Sequence, residues 1–214
     1  NHGKNHGAEY VKTPDGTGYL LHFSDANAYV DCGNDPSLDL TDALTIELWV
    51  YRENDRQAGG EPGLVGKTMN SYLISSGNSA WFYAKTGKVR NDLSAPAPIK
   101  GWHHIVVTFD GKYIRTYANG NAEMVVESSE EKINHGDNFY LRYPTIWGGK
   151  VIPPVKIRMD DVRVYNRALS GQQVMQHYLA EAAAWGKDLS LFVKPEIMAH
   201  VVSSTNLPVI VVGH

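Results

Sequence analysis

A few side chains in this sequence are of types that could do chemistry. Glu47 lies in Leu44–Tyr51, LTIELWVY. His103 and His104 are adjacent in the segment Gly101–Gly120, and Glu130-Glu131 sit in a polar stretch. Hydrolysis of a glycosidic bond needs two carboxylates about 5–9.5 Å apart across that bond. Glu47 is followed by Leu48-Trp49-Val50, so no second carboxylate shares its strand. A lone glutamate on an alternating strand more commonly sits on the solvated face of a sheet, and that is the expectation for Glu47. Neighbouring residues on a strand point to opposite faces, so His103 and His104 cannot both serve one metal or one base function. They are expected to be packed or hydrogen-bonded. Cys32, the one cysteine, excludes an intrachain disulfide and reads as an inert buried thiol in Tyr29–Gly33. No Gly-rich phosphate loop and no Cys-x-x-Cys motif is present. The sequence therefore offers no catalytic residue, and no enzyme activity is expected.

Recognition chemistry is better represented. Aromatic rings stack on the apolar faces of pyranoses while neighbouring polar groups take the hydroxyls. Trp81, Tyr83, Tyr143 and Trp147, with Arg142 close in sequence, are the candidate carbohydrate-binding residues. The competing reading for Trp81 and Trp147 is core packing between sheets. Trp49 and Trp102 are expected to pack between elements. At the N-terminus, NHGKNHG carries His2 and His6, which would serve a metal-binding tail or offer imidazoles to a partner. Gly-rich polar termini usually lack structure, so the expectation is a polar leader.

The elements that would position these residues are strands. His103–Phe109 and Tyr113–Ala118 alternate in hydropathy around Asp110-Gly111-Lys112, and the segment closes on Asn119-Gly120. Asp-Gly and Asn-Gly tolerate the positive φ of tight hairpin turns. Many further short strands, punctuated by Gly and Pro, indicate an all-β sandwich. A kink is expected at Asp160-Asp161 within Lys156–Tyr165. Ser170–Gly186 is the one convincing helix: Ser170 and Gln173 match a capping box, and Val174, Tyr178, Ala182 and Trp185 form a docking stripe. The 214 residues can bury a sizeable core, and a net charge of −3 gives no electrostatic case for nucleic acid or an anionic membrane surface. No apolar run approaches the ~20 residues that span a bilayer.

Three segments resemble a known family. They are Leu21–Asp31 with Leu44–Val50, then Gly101–Gly120, and then Met159–Ser170, MDDVRVYNRALS. In order and spacing they resemble laminin-G-like and pentraxin-like domains of the concanavalin A-like lectin/glucanase superfamily. The resemblance implies an all-β, two-sheet antiparallel jelly-roll sandwich, here with one C-terminal helix and an extra β tail. It also implies a structural calcium between the first and last segments, for which Asp25, Asn27 and Asp160 are the ligand candidates. Oxygen donors from two distant segments suit calcium. This chain has Ser24-Asp25-Ala26-Asn27-Ala28-Tyr29 where the family often has Asp-Gly-x-Asn-Asp-Tyr, so two acidic positions are lost or shifted. The glucanases of the superfamily place Glu-x-Asp-x-(x)-Glu on one strand, a pattern missing here.

The organisation expected is an N-terminal tail over residues 1–9, a jelly-roll domain over 10–186, and a linker with a partial or lent β element over 187–214. The expected function is non-catalytic recognition or adhesion, with carbohydrate as the leading ligand, in an extracytoplasmic protein or assembly. Its partner would be a glycan or a protein, with no nucleic acid and no direct membrane insertion. The alternative is a scaffold subunit whose termini dock onto neighbouring chains. A cryptic glycan-cleaving enzyme is the third reading.

Overall fold

The structure is a computed structural model and describes residues 3–25, 27–54, 63–67, 72–76, 79–86, 89–96, 100–128, 131–134, 136–142, 146–147, 150–151, 155–189 and 210–212. Its strands, in chain order, are β1 (Lys4–His6), β2 (Glu9–Lys12), β3 (Tyr19–Phe23), β4 (Tyr29–Asp31), β5 (Leu44–Arg52), β6 (Gly63–Gly66), β7 (Tyr72–Ser76), β8 (Ser79–Thr86) and β9 (Val89–Pro96). They continue with β10 (Trp102–Phe109), β11 (Tyr113–Ala118), β12 (Asn121–Glu127), β13 (Tyr140–Leu141), β14 (Ile146–Trp147), β15 (Lys150–Val151), β16 (Ile157–Tyr165) and β17 (Ile210–Val212). One α-helix, α1 (Gly171–Glu181), precedes β17, and a 3-10 turn covers Pro36–Leu38.

All but two of these strands build two antiparallel sheets; β14 and β15 pair with each other in a separate two-stranded ribbon. One sheet runs β1-β4-β13-β6-β7-β8-β9. The other runs β12-β11-β10-β5-β16-β3-β2, with β17 also paired to β16. The core lies between them. Ile46, Leu48 and Val50 from β5 and Ile105, Val107 and Phe109 from β10 meet Val30, Leu141, Val65, Ile74, Phe82 and Leu93 from the opposite sheet. Burying each such side chain contributes about 1.5–3 kcal/mol. Period-two alternation therefore selects the inner face, as the sequence predicts.

The Asn119-Gly120 turn is the predicted two-residue hairpin. Ala118 pairs with Asn121, and both turn residues have positive φ, 49° and 80°. Gly120 is needed twice over, because a Cβ there would stand 2.8 Å from Met175 Sδ on α1. The expected kink at Asp160-Asp161 is a β-bulge. Asp160 pairs with Trp49 and Arg163 with Glu47, so β16 carries one residue more than β5 across this stretch. Asp161 adopts φ 49° to make the step.

Helix α1 lies on the outer face of the β5–β10 sheet. The Ser170 hydroxyl accepts the Gln173 N–H, and the Gln173 side chain accepts the Ser170 N–H, so the capping box is complete. Thr45 anchors the approach to the helix: its hydroxyl donates to the Arg167 carbonyl and accepts the Leu169 N–H. Val174, Tyr178, Ala182 and Trp185 are all buried, and Trp185 packs on Trp102 and Trp49. This docking corrects the expectation for Glu47. Both faces of β5 are covered, and Glu47 is 0% exposed.

The termini also depart from expectation. Lys4–His6 is not a free tail but a strand paired with β4. Ile210–Val212 pairs with β16 of its own chain, with Val162 opposite Val212. No helix among the described residues is long and apolar enough to cross a membrane.

Candidate functional site

Two polar constellations stand out. The first lies beneath α1. Glu47 Oε1 is 2.9 Å from His104 Nε2, and Glu47 Oε2 is 3.0 Å from His177 Nδ1. Arg163 Nη1 reaches Glu181 Oε1 at 2.6 Å and Glu47 Oε1 at 3.6 Å, and Arg163 Nη2 reaches Asp161 at 2.9 Å. The Trp49 indole N–H donates to Glu181 at 2.8 Å. Strand pairing sets this up: His104 lies opposite Trp49 and Arg163 opposite Glu47. Burial works to raise the Glu47 pKa, but hydrogen bonds from His104 and His177 outweigh it and hold the carboxyl well below its usual range. The bond to Glu47 raises His177, and burial raises Glu181.

Ligand atoms of Glu47, His104 and Glu181 lie within 4.8 Å of one another, close enough to hold a metal. The Arg163 guanidinium stands between the two carboxylates, however, and supplies the cation there. The same arrangement bears on glycan cleavage. Glu47 and Glu181 face each other, but the Arg163 guanidinium bridges them and Glu47 is fully buried beneath α1. The cluster joins helix to sheet. His104 thus takes the hydrogen-bonded role expected of it.

Of the calcium candidates, Asp160 lies in β16 at the bulge, and Asp25 follows β3, the strand paired with β16. Asp160 is buried and accepts the Asp161 N–H within the bulge. Asp25 accepts the Asn27 N–H and lies within electrostatic reach of Arg142.

The second constellation is on the outward face of the β1–β9 sheet. The register runs Lys4, Asp31, Tyr140, Gly66, Leu73, Tyr83, Asp92 straight across all seven strands. In the neighbouring outward row His6 pairs with Tyr29, and Trp81 pairs with Ser75 and Ser94. By register Tyr83 lies on the outward side of this sheet, and Arg142 follows β13 with φ 58°. Tyr83 is 8% exposed and Arg142 3%, which corrects the expectation that they present open surfaces. Burial pushes the Arg142 guanidinium below its usual value, with Asp25 acting against that. The side chains of Trp81 and Trp147, and all of Tyr143 and His2, lie outside the described residues.

The open end of this face is at β1, β4 and β13. His6 stacks on Tyr29 with ring centroids 4.4 Å apart, and Tyr140 meets Tyr29 edge-on at 6.0 Å. All three are partly exposed. Beside them the Asp31 carboxylate accepts the Gly33 N–H at 2.8 Å and the Asn138 amide at 3.0 Å. This group was missed in the sequence. Its signal was the alternation Phe139-in, Tyr140-out, Leu141-in, together with Tyr29 between core residues Ala28 and Val30.

The described residues thus define a two-sheet antiparallel β-sandwich with an aromatic-polar outer face. The family model for the concanavalin A-like lectin/glucanases superfamily, laminin-G-like, matches residues 24–175, and the chain belongs to this family. The structure of the receptor binding domain of botulinum neurotoxin C/D mosaic serotype superposes with a TM-score of 0.70 at 11% identity, over 87% of this chain and 49% of that one. The binding domain of Paraclostridial Mosquitocidal Protein 1 gives 0.71 at 18% identity, over 86% and 49%. The binding domain of botulinum neurotoxin DC in complex with SialylT gives 0.63 at 12% identity, over 83% and 46%. At such identities the likeness shows the fold, and the chain spans about half the length of these domains. No curated protein matches the chain in sequence.

Proposed function

We propose that this chain is a non-catalytic carbohydrate-recognition module of an extracytoplasmic protein, with its sugar seated on the outward face at Tyr29 and Tyr140. One observation carries the reading: two partly exposed tyrosines stand beside a carboxylate whose orientation is fixed by Gly33 and Asn138. A ring takes the apolar face of a pyranose, and an oriented carboxylate accepts from its hydroxyls. His6 backs Tyr29 and holds its plane. Trp81, Tyr143 and Trp147 are assigned, on sequence grounds, to the extension of this surface. Membership of a lectin-like family is in keeping with the reading, as is a solved neighbour named for its complex with SialylT. The scaffold alternative loses its footing, because strands at both ends of the chain pair within its own sheets.

The test is binding of the wild-type chain to an array of immobilised glycans, repeated with Tyr140→Ala. The reading expects a wild-type signal that the variant loses. Silence across the array, or binding untouched by Tyr140→Ala, would overturn it.

A further inference from the structure

One end of the sandwich holds a lysine with no exposure to solvent. Lys67 follows β6, and its ammonium is held by Asn34 Oδ1 at 2.8 Å and Asp39 Oδ1 at 2.5 Å. Burying an ammonium costs several kcal/mol, and replacing a buried ion pair by well-packed apolar groups is often neutral or stabilising. Stability alone therefore gives weak reason for Lys67. What the pair does is fix Asp39. That residue is also pinned through its neighbour, because the Tyr72 hydroxyl donates to the Leu38 carbonyl.

Asp39 forms one wall of an open depression of about 450 Å³, which Thr41, Lys132, Ile133 and Asn134 complete. The size falls in the ordinary range for small-ligand sites. Ile133 is buried and gives an apolar lining, and its N–H donates to the Thr41 carbonyl. A hydroxyl, an amide and an ammonium thus share the site with an oriented carboxylate. The charges pair off: Lys67 with Asp39, and Lys132 with Asp42 at 3.1 Å. An anionic ligand would meet the Asp39 carboxylate and a Lys132 ammonium already paired with Asp42. An uncharged polyol would find acceptors and donors together over an apolar lining.

We propose that this depression is a second saccharide subsite, taking one uncharged pyranose through adjacent hydroxyls. The inference deepens the carbohydrate-recognition reading and rests on it: with a subsite here and another at Tyr29 and Tyr140, the chain reads oligosaccharides and not single sugars.

The full chain would be titrated with methyl glucopyranoside, galactopyranoside and mannopyranoside, following backbone amide and tyrosine ring resonances by NMR. The expected result is that at least one glycoside shifts the amides of Thr41, Ile133 and Asn134, with Kd on the order of millimolar. Asn134→Ala and Lys132→Ala lie on the rim, away from Lys67, and should each weaken those shifts several-fold. Tyr140→Ala should leave them unchanged. If none of the three sugars moves these amides, or if the rim variants bind undiminished, the subsite is overturned. Response at Tyr29 and Tyr140 with a silent depression would sink this inference and leave the proposed function standing. Response at the depression with silent tyrosines would support the subsite and remove the tyrosine face from the proposed function.

Discussion

His177 Nδ1 on α1 lies 3.0 Å from Glu47 Oε2 in the middle of the β5–β10 sheet. The contact spans 130 residues of sequence and ties the helix to the sandwich. Removing Glu47 would leave His104, His177 and Arg163 facing a site without its carboxylate. Taking one partner from a buried ionic group costs about 3–5 kcal/mol. Glu47→Ala is expected to lose that much in urea unfolding. A loss below about 1 kcal/mol would mean the cluster is not what holds α1 down.

The same pair sets a pH window. Glu47 is held below its ordinary 4.5, so its contribution is present above that value and is lost as pH falls through the depressed one. His177 is raised above 6.5, so its contribution is full below 6.5 and fades as pH rises through the raised value. Glu181, raised by burial, acts in the same direction as His177. Melting temperature should be highest in mildly acidic buffer and decline above pH 6.5. His177→Gln should flatten the decline. Equal melting temperatures at about pH 5.5 and about pH 9, either side of the ordinary His pKa of ~6.5, would contradict this assignment.

Ser170 should matter out of proportion to its size. Losing an N-cap hydroxyl costs typically about 1 kcal/mol. Trp49 and Trp185 lie under the helix, so tryptophan emission reports its docking. Ser170→Ala is expected to lower the urea midpoint followed by that emission. An unchanged midpoint would show that tertiary contacts hold the helix without its cap.

Chelation tests the calcium implied by the family. If Asp25, Asn27 and Asp160 hold calcium, EDTA is expected to lower the melting temperature and added calcium chloride to restore it. A melting temperature unchanged by EDTA would argue against the ion.

Cys32 is buried and its thiol is pushed up to about 11, chiefly by burial and then by the Asp31 charge. Thiolate is the reactive form. The native chain should therefore react slowly with a disulfide reagent at pH 8 and rapidly in denaturant. Equal rates in the two states would place Cys32 at the surface.

Much of the fold was legible. Asn119-Gly120 announces its own turn, because two successive positive-φ residues suit few other structures. Ser170 and Gln173 announce the start of α1, since three residues is the reach of a reciprocal cap. Asp160-Asp161 interrupts an apolar strand and becomes a bulge. The candidate site was legible only by parts. Tyr83 falls in an outward row, as alternation requires, yet it is buried while Tyr140, in the same row, is partly exposed.

The sequence by itself determined which residues share a face, because pleating sends successive side chains to opposite sides whatever surrounds them. Only the tertiary structure decided what each outer face meets. Glu47 reads as solvated until α1 arrives from residue 171 onward to cover it, and His6 reads as tail until β4 accepts it as a strand. Alternation is a local property of the chain, whereas burial of an outer face depends on elements far away in sequence.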